Sequence, residues 1–120
     1  MCLILFGYQV CDQYPLVLAA NRDEFHQRPT KPMHDWTDPD VILAGKDLEQ
    51  NGTWFGINKK TGRFAALTNF REPSHQIPNA PSRGQIIVDA LMSPAPVSEF
   101  LHAFHHRAHV FNGFNLLIGD

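Results

Sequence analysis

Apolar positions fall into runs along the chain, and the spacing within each run predicts an element. Residues 2–10 and 16–21 are apolar almost without alternation and predict two strands joined by a hairpin loop over 11–15. Because a strand with a continuous apolar core is normally buried on both faces, we expect this sheet to be covered above and below. That expectation favours a layered α+β sandwich over an open meander.

Shorter apolar runs further along predict more strands and two helices. Residues 53–58 and 63–69 read as strands around a turn at 59–62, and 114–118 as a last strand, with a short apolar run at 41–44. Ser82 and Ser98 are the candidate N-caps of the two helices. The predicted apolar faces comprise Ile86, Ile87, Ala90 and Leu91 in the first helix and Phe100, Leu101, Phe104 and Ala108 in the second. The proline-punctuated segments 22–40 and 71–81 predict ordered loops.

Composition narrows the class of protein. The chain has 120 residues, of which 43% are hydrophobic and 18% charged, as expected for one globular domain. A formal charge of −2 argues against a nucleic-acid binder that works by bulk electrostatics. No apolar run approaches the roughly 20 residues of a membrane span, and no signal-peptide pattern is visible. We therefore expect a cytoplasmic protein, with Cys2 and Cys11 as free thiols.

Cys2 is the position most suggestive of chemistry. Methionine aminopeptidases remove Met1 when a small residue follows, which would leave a cysteine carrying both a thiol and an α-amine at the N-terminus. An α-amine titrates near about 7.7 to 8.0 and can accept the thiol proton at neutral pH. An N-terminal amine that activates its own nucleophile is an arrangement known in hydrolases. The alternative is a small residue at the start of a buried strand.

Four polar residues, Asn21, Arg22, Asp23 and Glu24, directly follow the second apolar strand. Cys2 and Asn21 lie at comparable distances from the hairpin turn, so strand pairing could bring this group close to the thiol. Arg22 would then favour the thiolate over the thiol, and Asp23 could orient the α-amine. The alternative is a structural ion-pair cluster that orders the following loop.

Three further positions carry candidate binding groups. Asn69 ends a predicted strand, where its amide could donate to an oxyanion or serve only as a turn residue. Trp54 could line a pocket or lie in the core. Arg83, beside the amides of the helix that Ser82 opens, could hold an anion such as a carboxylate or phosphate. Capping by Ser82 explains much of this last motif without a ligand.

Four histidines fall on the helix side opposite the predicted apolar face: His102, His105, His106 and His109. That side is solvated, and a native metal site usually adds a ligand from another element. The histidines therefore predict no metal. Since no zinc-ribbon, phosphate-loop or dinucleotide motif occurs either, the sequence predicts no cofactor.

Several blocks, in order along the chain, resemble a family named for its Asn-Arg-Asp-Glu motif, which includes the transport and Golgi organisation protein 2 homologues. The blocks are MCLI at 1–4, LAANRDEF at 18–25, RPT at 28–30, LAG at 43–45, GTWFG at 52–56, ALTNFR at 66–71, SRG at 82–84 and NGFNLL at 112–117. Any one block is weak evidence, but so many in one order are specific.

The resemblance implies an αββα sandwich of the N-terminal nucleophile hydrolase type, with residues 1–120 as a single domain forming the N-terminal part of a longer one. Penicillin V acylases and bile-salt hydrolases, the enzymatic analogues, cleave amide bonds with an N-terminal cysteine assisted by an arginine and an aspartate. Carried over, the resemblance implies Cys2 as the nucleophile, Arg22 and Asp23 as its supporting pair, and Asn69 as an oxyanion donor.

Two functions follow as hypotheses. The first is hydrolysis of a non-peptide amide or thioester bond in a small-molecule substrate, with Asn21, Glu24, Trp54 and Arg83 binding that substrate. The second is a non-enzymatic carrier or trafficking protein for an apolar ligand such as haem or lipid, since metazoan relatives are linked to secretory organisation, lipid metabolism and haem trafficking. A half-domain would also expose strand edges, which favours homo-oligomers. A third hypothesis is a structural half-domain that works only with its missing part.

Overall fold

The computed structural model describes residues 2–120, so the predicted removal of Met1 lies outside the described residues. In chain order the elements are β1 (Leu3–Cys11), β2 (Tyr14–Asn21), β3 (Thr30–Asp35), β4 (Ile42–Asp47), β5 (Phe55–Asn58), β6 (Phe64–Asn69), α1 (Gly84–Met92), α2 (Val97–His105) and β7 (Phe114–Gly119). Short 3₁₀ helices occupy Pro73–His75 and Ala108–Val110. The mixture of two sheets and two helices confirms the predicted α+β class.

Strands β3 to β7 form one antiparallel sheet in sequence order. Helix α1 packs on β5 and β6, and the chain returns through α2 to pair β7 with β6. The buried core between this sheet and the two helices comprises Trp36, Ile42, Ala44, Ala65, Leu67, Ile86, Ile87, Ala90, Leu91, Phe100 and Phe104. The hydrophobic contribution to stability is therefore concentrated in this sheet and its helices.

Helix α1 has the predicted apolar face, because Ile86, Ile87, Ala90 and Leu91 are all buried. Its start differs slightly from the prediction. The helix begins at Gly84, and the Ser82 hydroxyl accepts a hydrogen bond from the Gly84 amide at 3.3 Å without occupying the N-cap position.

Helix α2 departs from the prediction in three respects. The helix ends at His105, so Ala108, predicted on its apolar face, lies in the following 3₁₀ helix. It begins at Val97 after Pro96, one residue before the predicted cap at Ser98, because the fixed φ of proline suits the entry to a helix. Leu101 was predicted on the buried face but is 40% exposed. The packing is made instead by Phe100 and Phe104, whose parallel rings lie 5.8 Å apart between centroids.

The segment 22–40, predicted to be a loop, contains the additional strand β3. It pairs with β4 through Thr30 opposite Asp47 and His34 opposite Ala44, and it lies at the edge of the sheet. Pro32 is tolerated there because an edge strand leaves one row of amides unpaired. The residues of β3 are mostly exposed and lack an alternating pattern, so only the partner strand reveals it.

Strand β4 extends the predicted apolar run through Gly45 to Asp47. Strands β5 and β6 start at Phe55 and Phe64, slightly later than the runs that predicted them. The turn between them is confirmed, with Gly62 at a φ of +82°.

The β1–β2 hairpin pairs as predicted but is not covered as predicted. Its strands form a separate two-stranded sheet around a turn at 12–13, tighter than the predicted loop. Leu5 is 61% exposed and Val10 is 76% exposed, so the expectation of burial on both faces is wrong for these residues. The reason is physical: a continuous apolar pattern shows what a strand can bury, whereas burial needs another layer packed on it.

Candidate functional site

The register of the hairpin brings Cys2 to the polar residues that follow β2. Leu3 pairs with Asn21, and the Leu3 amide donates to the Asn21 side-chain oxygen at 3.1 Å. Cys2 precedes Leu3 in the chain, and its Sγ accepts a hydrogen bond from the Asp23 amide at 3.2 Å. The expected approach of these two segments is therefore present in the structure.

Cys2 lines a cavity of about 290 Å³ at this end of the hairpin. Candidate residues predicted from the sequence that line it with Cys2 are Arg22, Asp23, Glu24, Trp54, Asn69 and Arg83. Asn21 does not line the cavity. Its side-chain oxygen accepts a hydrogen bond from the Leu3 amide at the start of β1. A second cavity of about 590 Å³ adjoins the first and shares Asp23, Glu24, Asn69 and Arg83 with it.

Arg22 is held against one wall of the smaller cavity. The centre of its guanidinium lies 4.6 Å from the centroid of the Trp54 ring, within the range of a cation–π contact. Its Nη2 lies 3.5 Å from Glu24 and 3.6 Å from Asp47. Trp54 is half-buried and forms part of the cavity wall beneath this cation.

Asp47, at the end of β4, is a residue of the site that sequence reasoning missed. Its carboxylate accepts a hydrogen bond from Arg28 Nε at 2.9 Å and ion-pairs with Arg28 Nη2 at 2.8 Å. It also accepts hydrogen bonds from the amides of Glu49 and Gln50. Burial alone would raise the pKa of Asp47, but these hydrogen bonds and the Arg28 charge outweigh it, so the pKa lies below its usual value.

Arg28 and Asn112 were also missed, although both lie in blocks that carried the family resemblance. Asn112 lines both cavities, and its amide exchanges hydrogen bonds with the backbone of Ile77, which holds the loop after β6. No local signal marks Asp47, because its role depends on the unpredicted pairing of β3 with β4.

Arg83 lies half-buried at the start of α1, where its Nη1 donates to the carbonyl of Gly113 at 2.8 Å. Burial lowers the pKa of Arg83, and negative charge on Cys2 and Glu24 opposes that shift. Two glycines place this helix start. A methyl group on Gly52 would lie 2.6 Å from the carbonyl carbon of Gly84, so only glycine allows so close an approach.

Asp23 and Asn69 complete the polar lining. The Asp23 carboxylate lies 4.0 Å from Arg71 Nη2. Asn69 ends β6 with an exposed amide that faces both cavities. A thiol, a carboxylate and an amide donor thus share one cavity with several arginines, which is suitable for acyl transfer.

The four histidines lie away from this site and are exposed to solvent, but they do not form the predicted single helix face. His102 and His105 lie in α2, whereas His106 follows its end and His109 lies in the next 3₁₀ helix. The His102 and His106 rings meet edge-on, with centroids 5.3 Å apart. Within residues 2–120 no group of three or more His, Cys, Asp or Glu side chains is arranged to hold a metal ion. In the same residues, no helix is both long and apolar enough to cross a membrane.

These features define an α+β protein with a polar, cysteine-lined cavity at the open end of a hairpin. The chain belongs to the Transport and Golgi organisation 2 family, whose family model matches residues 1–120. The family predicted from the ordered sequence blocks is therefore confirmed.

Similarity to animal proteins of the same family supports this assignment. The chain is 38% identical over 127 residues to the Transport and Golgi organization 2 homolog of Mus musculus and 37% identical to the Homo sapiens homolog, covering 100% of this chain and 45% of each relative. It is 39% identical over 98 residues to Transport and Golgi organization protein 2 of Drosophila melanogaster, covering 74% of this chain and 34% of the relative. The chain thus spans less than half the length of these curated relatives.

Proposed function

We propose that Cys2 is the nucleophile of a cysteine-dependent hydrolase that cleaves a non-peptide amide or thioester bond. The supporting observation is that Cys2, Asp23 and Asn69, which come from three separate segments, line one cavity. The proposal includes an αββα sandwich of the N-terminal nucleophile hydrolase type, to which the present sheets and helices would contribute.

The mechanism requires removal of Met1, which makes the α-amine part of Cys2 itself. The backbone contact at 3.2 Å between the Asp23 amide and Cys2 Sγ keeps Asp23 next to this residue. An aspartate carboxyl is ionised at neutral pH. Asp23 would therefore orient the α-amine by accepting a hydrogen bond from it.

In the first step, Cys2 Sγ attacks the carbonyl carbon of the substrate while the α-amine accepts the thiol proton. A carbon–sulfur bond forms, and the negative charge moves to the carbonyl oxygen. The Asn69 amide would donate to that oxygen. The bond to the leaving amine or thiol then breaks, and the α-ammonium returns the proton to the leaving group.

In the second step, water attacks the thioester carbonyl, and the α-amine accepts a proton from the water. The carbon–sulfur bond breaks and the carboxylic acid departs. The α-ammonium then returns its proton to the sulfur, which restores the Cys2 thiol and the free amine. Arg22, Glu24 and Trp54 form a wall that would bind polar or aromatic parts of the substrate.

Turnover of a simple thioester tests this proposal. We expect the protein to release thiophenol continuously from S-phenyl thioacetate, and Cys2→Ser to lose at least about 100-fold in rate because a hydroxyl is a far weaker nucleophile at neutral pH. Cys11→Ser is the matched control, since Cys11 is an exposed thiol at the far end of the same strand. A single stoichiometric acylation without turnover, or equal rates in Cys2→Ser and the unmodified protein, would contradict the hydrolase.

An apolar-ligand carrier is the second candidate. Phe25 is 81% exposed and Phe70 is 55% exposed, and both line the larger cavity, where such a ligand could contact them. Titration with haemin and with a fatty acid separates the two functions. A carrier retains most of its ligand affinity in Cys2→Ser, shows no turnover, and loses affinity in Phe25→Ser with Phe70→Ser.

A further inference from the structure

We propose that Arg83 supplies the positive charge that favours the Cys2 thiolate, a role that the sequence alone suggested for Arg22. This inference rests on the proposed function, because it concerns how the Cys2 nucleophile is activated.

Two of the arginines around the smaller cavity already have carboxylate partners. Arg22 lies over Trp54 with its Nη2 3.5 Å from Glu24 and 3.6 Å from Asp47. Arg28 forms a 2.8 Å ion pair with Asp47 and lies 3.8 Å from Glu24. A cation whose charge is balanced by nearby carboxylates contributes less to the potential at a third site.

Arg71 is poorly placed for the same role. Its side chain is 82% exposed, and its nearest described ion-pair contact is with Asp23 at 4.0 Å. A guanidinium so open to water is strongly screened by solvent and salt.

Arg83 differs from all three in its surroundings. It is half-buried and lines the same cavity as Cys2, and within residues 2–120 no carboxylate oxygen lies within 4.0 Å of its guanidinium. The one described hydrogen bond of the guanidinium goes to the neutral Gly113 carbonyl. Since partial burial without an ion pair is costly for a cation, an anion formed in the cavity is a favourable partner.

The anion that the cavity itself can form is the Cys2 thiolate. The Arg83 guanidinium is attracted to Cys2 when the thiol is ionised and also, beyond ion-pair distance, to the Glu24 carboxylate. The Asp23 amide, 3.2 Å from Sγ, also favours the thiolate, whereas the Asp23 and Glu24 carboxylates oppose it. The contact of Gly52 with Gly84 fixes the helix start that carries Arg83, so its charge is held in place beforehand.

Alkylation of Cys2 by iodoacetamide at pH 7, followed by mass spectrometry on the intact chain and its peptides, measures the thiolate fraction. We expect Arg83→Gln to slow the alkylation of Cys2 roughly three- to ten-fold, while Arg83→Lys retains most of the rate. Arg22→Gln should slow it less than Arg83→Gln. Cys11, alkylated in the same sample, is the internal control, and Arg107→Gln, in the exposed turn after α2, is the matched control variant.

Each opposite result overturns the inference in a recognisable way. If Arg22→Gln slows the alkylation more than Arg83→Gln, the thiolate depends on Arg22, and the hydrolase proposal stands. If Arg83→Lys is as slow as Arg83→Gln, the bond to Gly113 matters and the charge does not. If Arg83→Gln slows anionic iodoacetate but not neutral iodoacetamide, Arg83 serves an incoming anion instead. Loss of thioester turnover in Cys2→Ser tests the proposed function separately.

Discussion

The β1–β2 hairpin and the five-stranded sheet differ in how much of their apolar surface is covered. The strands of the larger sheet pack against α1, and Ile42, Ala65 and Ala66 are fully buried. The hairpin is at least as apolar in sequence, yet Leu5 and Val10 are largely exposed. The same residue types therefore contribute very differently to stability in the two regions.

The candidate site lies where these regions meet. Cys2 and Asp23 belong to the open end of the hairpin, whereas Asn69 and Arg83 come from the sheet and its helix. Polar contacts join the two regions here, notably those from Arg22 to the sheet side. The packed region thus supplies one wall of the cavity, and the hairpin presents Cys2 to it.

The largest expected difference in unfolding free energy is between the leucine-to-alanine variants of the two regions. Leu91→Ala removes a side chain that is 1% exposed and should cost about 2 to 5 kcal/mol of unfolding free energy. Leu5→Ala makes the same chemical change in the hairpin at 61% exposure and should cost under about 1 kcal/mol. Urea unfolding of both variants measures the difference, and equal losses would show that the hairpin is covered in solution.

An intermediate loss of unfolding free energy is expected from Asp47→Asn, at the place where the hairpin meets the larger sheet. Because the native pKa of Asp47 is depressed, its charge stabilises the fold above its unfolded pKa of about 3.9, and this stabilisation disappears as pH falls through the native pKa. We expect a loss of about 1 to 2 kcal/mol at pH 7 that shrinks below about pH 4. Urea unfolding at several pH values tests this, with Asp12→Asn in the hairpin turn as the control. A loss that stays constant down to pH 3 would refute the role of the charge.

The smallest effect is expected within the hairpin itself. Val10→Thr keeps the shape of a side chain that is 76% exposed, and it should change the unfolding free energy by less than about 0.5 kcal/mol. Thermal unfolding at two protein concentrations measures this change. A larger loss that grows with concentration would mean that a second copy covers the hairpin.

Local patterns were sufficient for elements whose partners lie close in sequence. The apolar spacing of Ile86, Ile87, Ala90 and Leu91 identified the buried face of α1, and Gly62 identified a turn. Strand β3 was missed because its pairing with β4, rather than any pattern of its own, makes it a strand. Leu101 was misassigned because periodicity does not show where the packed face ends.

Part of the candidate site could be predicted from the sequence, because some of its residues are close along the chain. Cys2 and the polar residues after β2 are related by the register of one hairpin, which can be counted along the chain. Asp47 and Asn112 come from distant segments that only the assembled sheet and loops bring to the cavity. The partners of an arginine depend equally on the fold, so the sequence could not show that Arg22 lies near Asp47 or that Arg83 donates to the Gly113 carbonyl.

The amino-acid sequence was sufficient to predict the family, the α+β class, most of the elements and the approach of Cys2 to Asp23, because these depend on motif order, periodicity and one short hairpin. The assembled fold was needed to show which apolar strands are buried and that, within residues 2–120, Arg22 and Arg28 ion-pair with carboxylates while Arg83 does not. Burial and charge balance are properties of surfaces in contact, and those contacts join residues far apart in the chain.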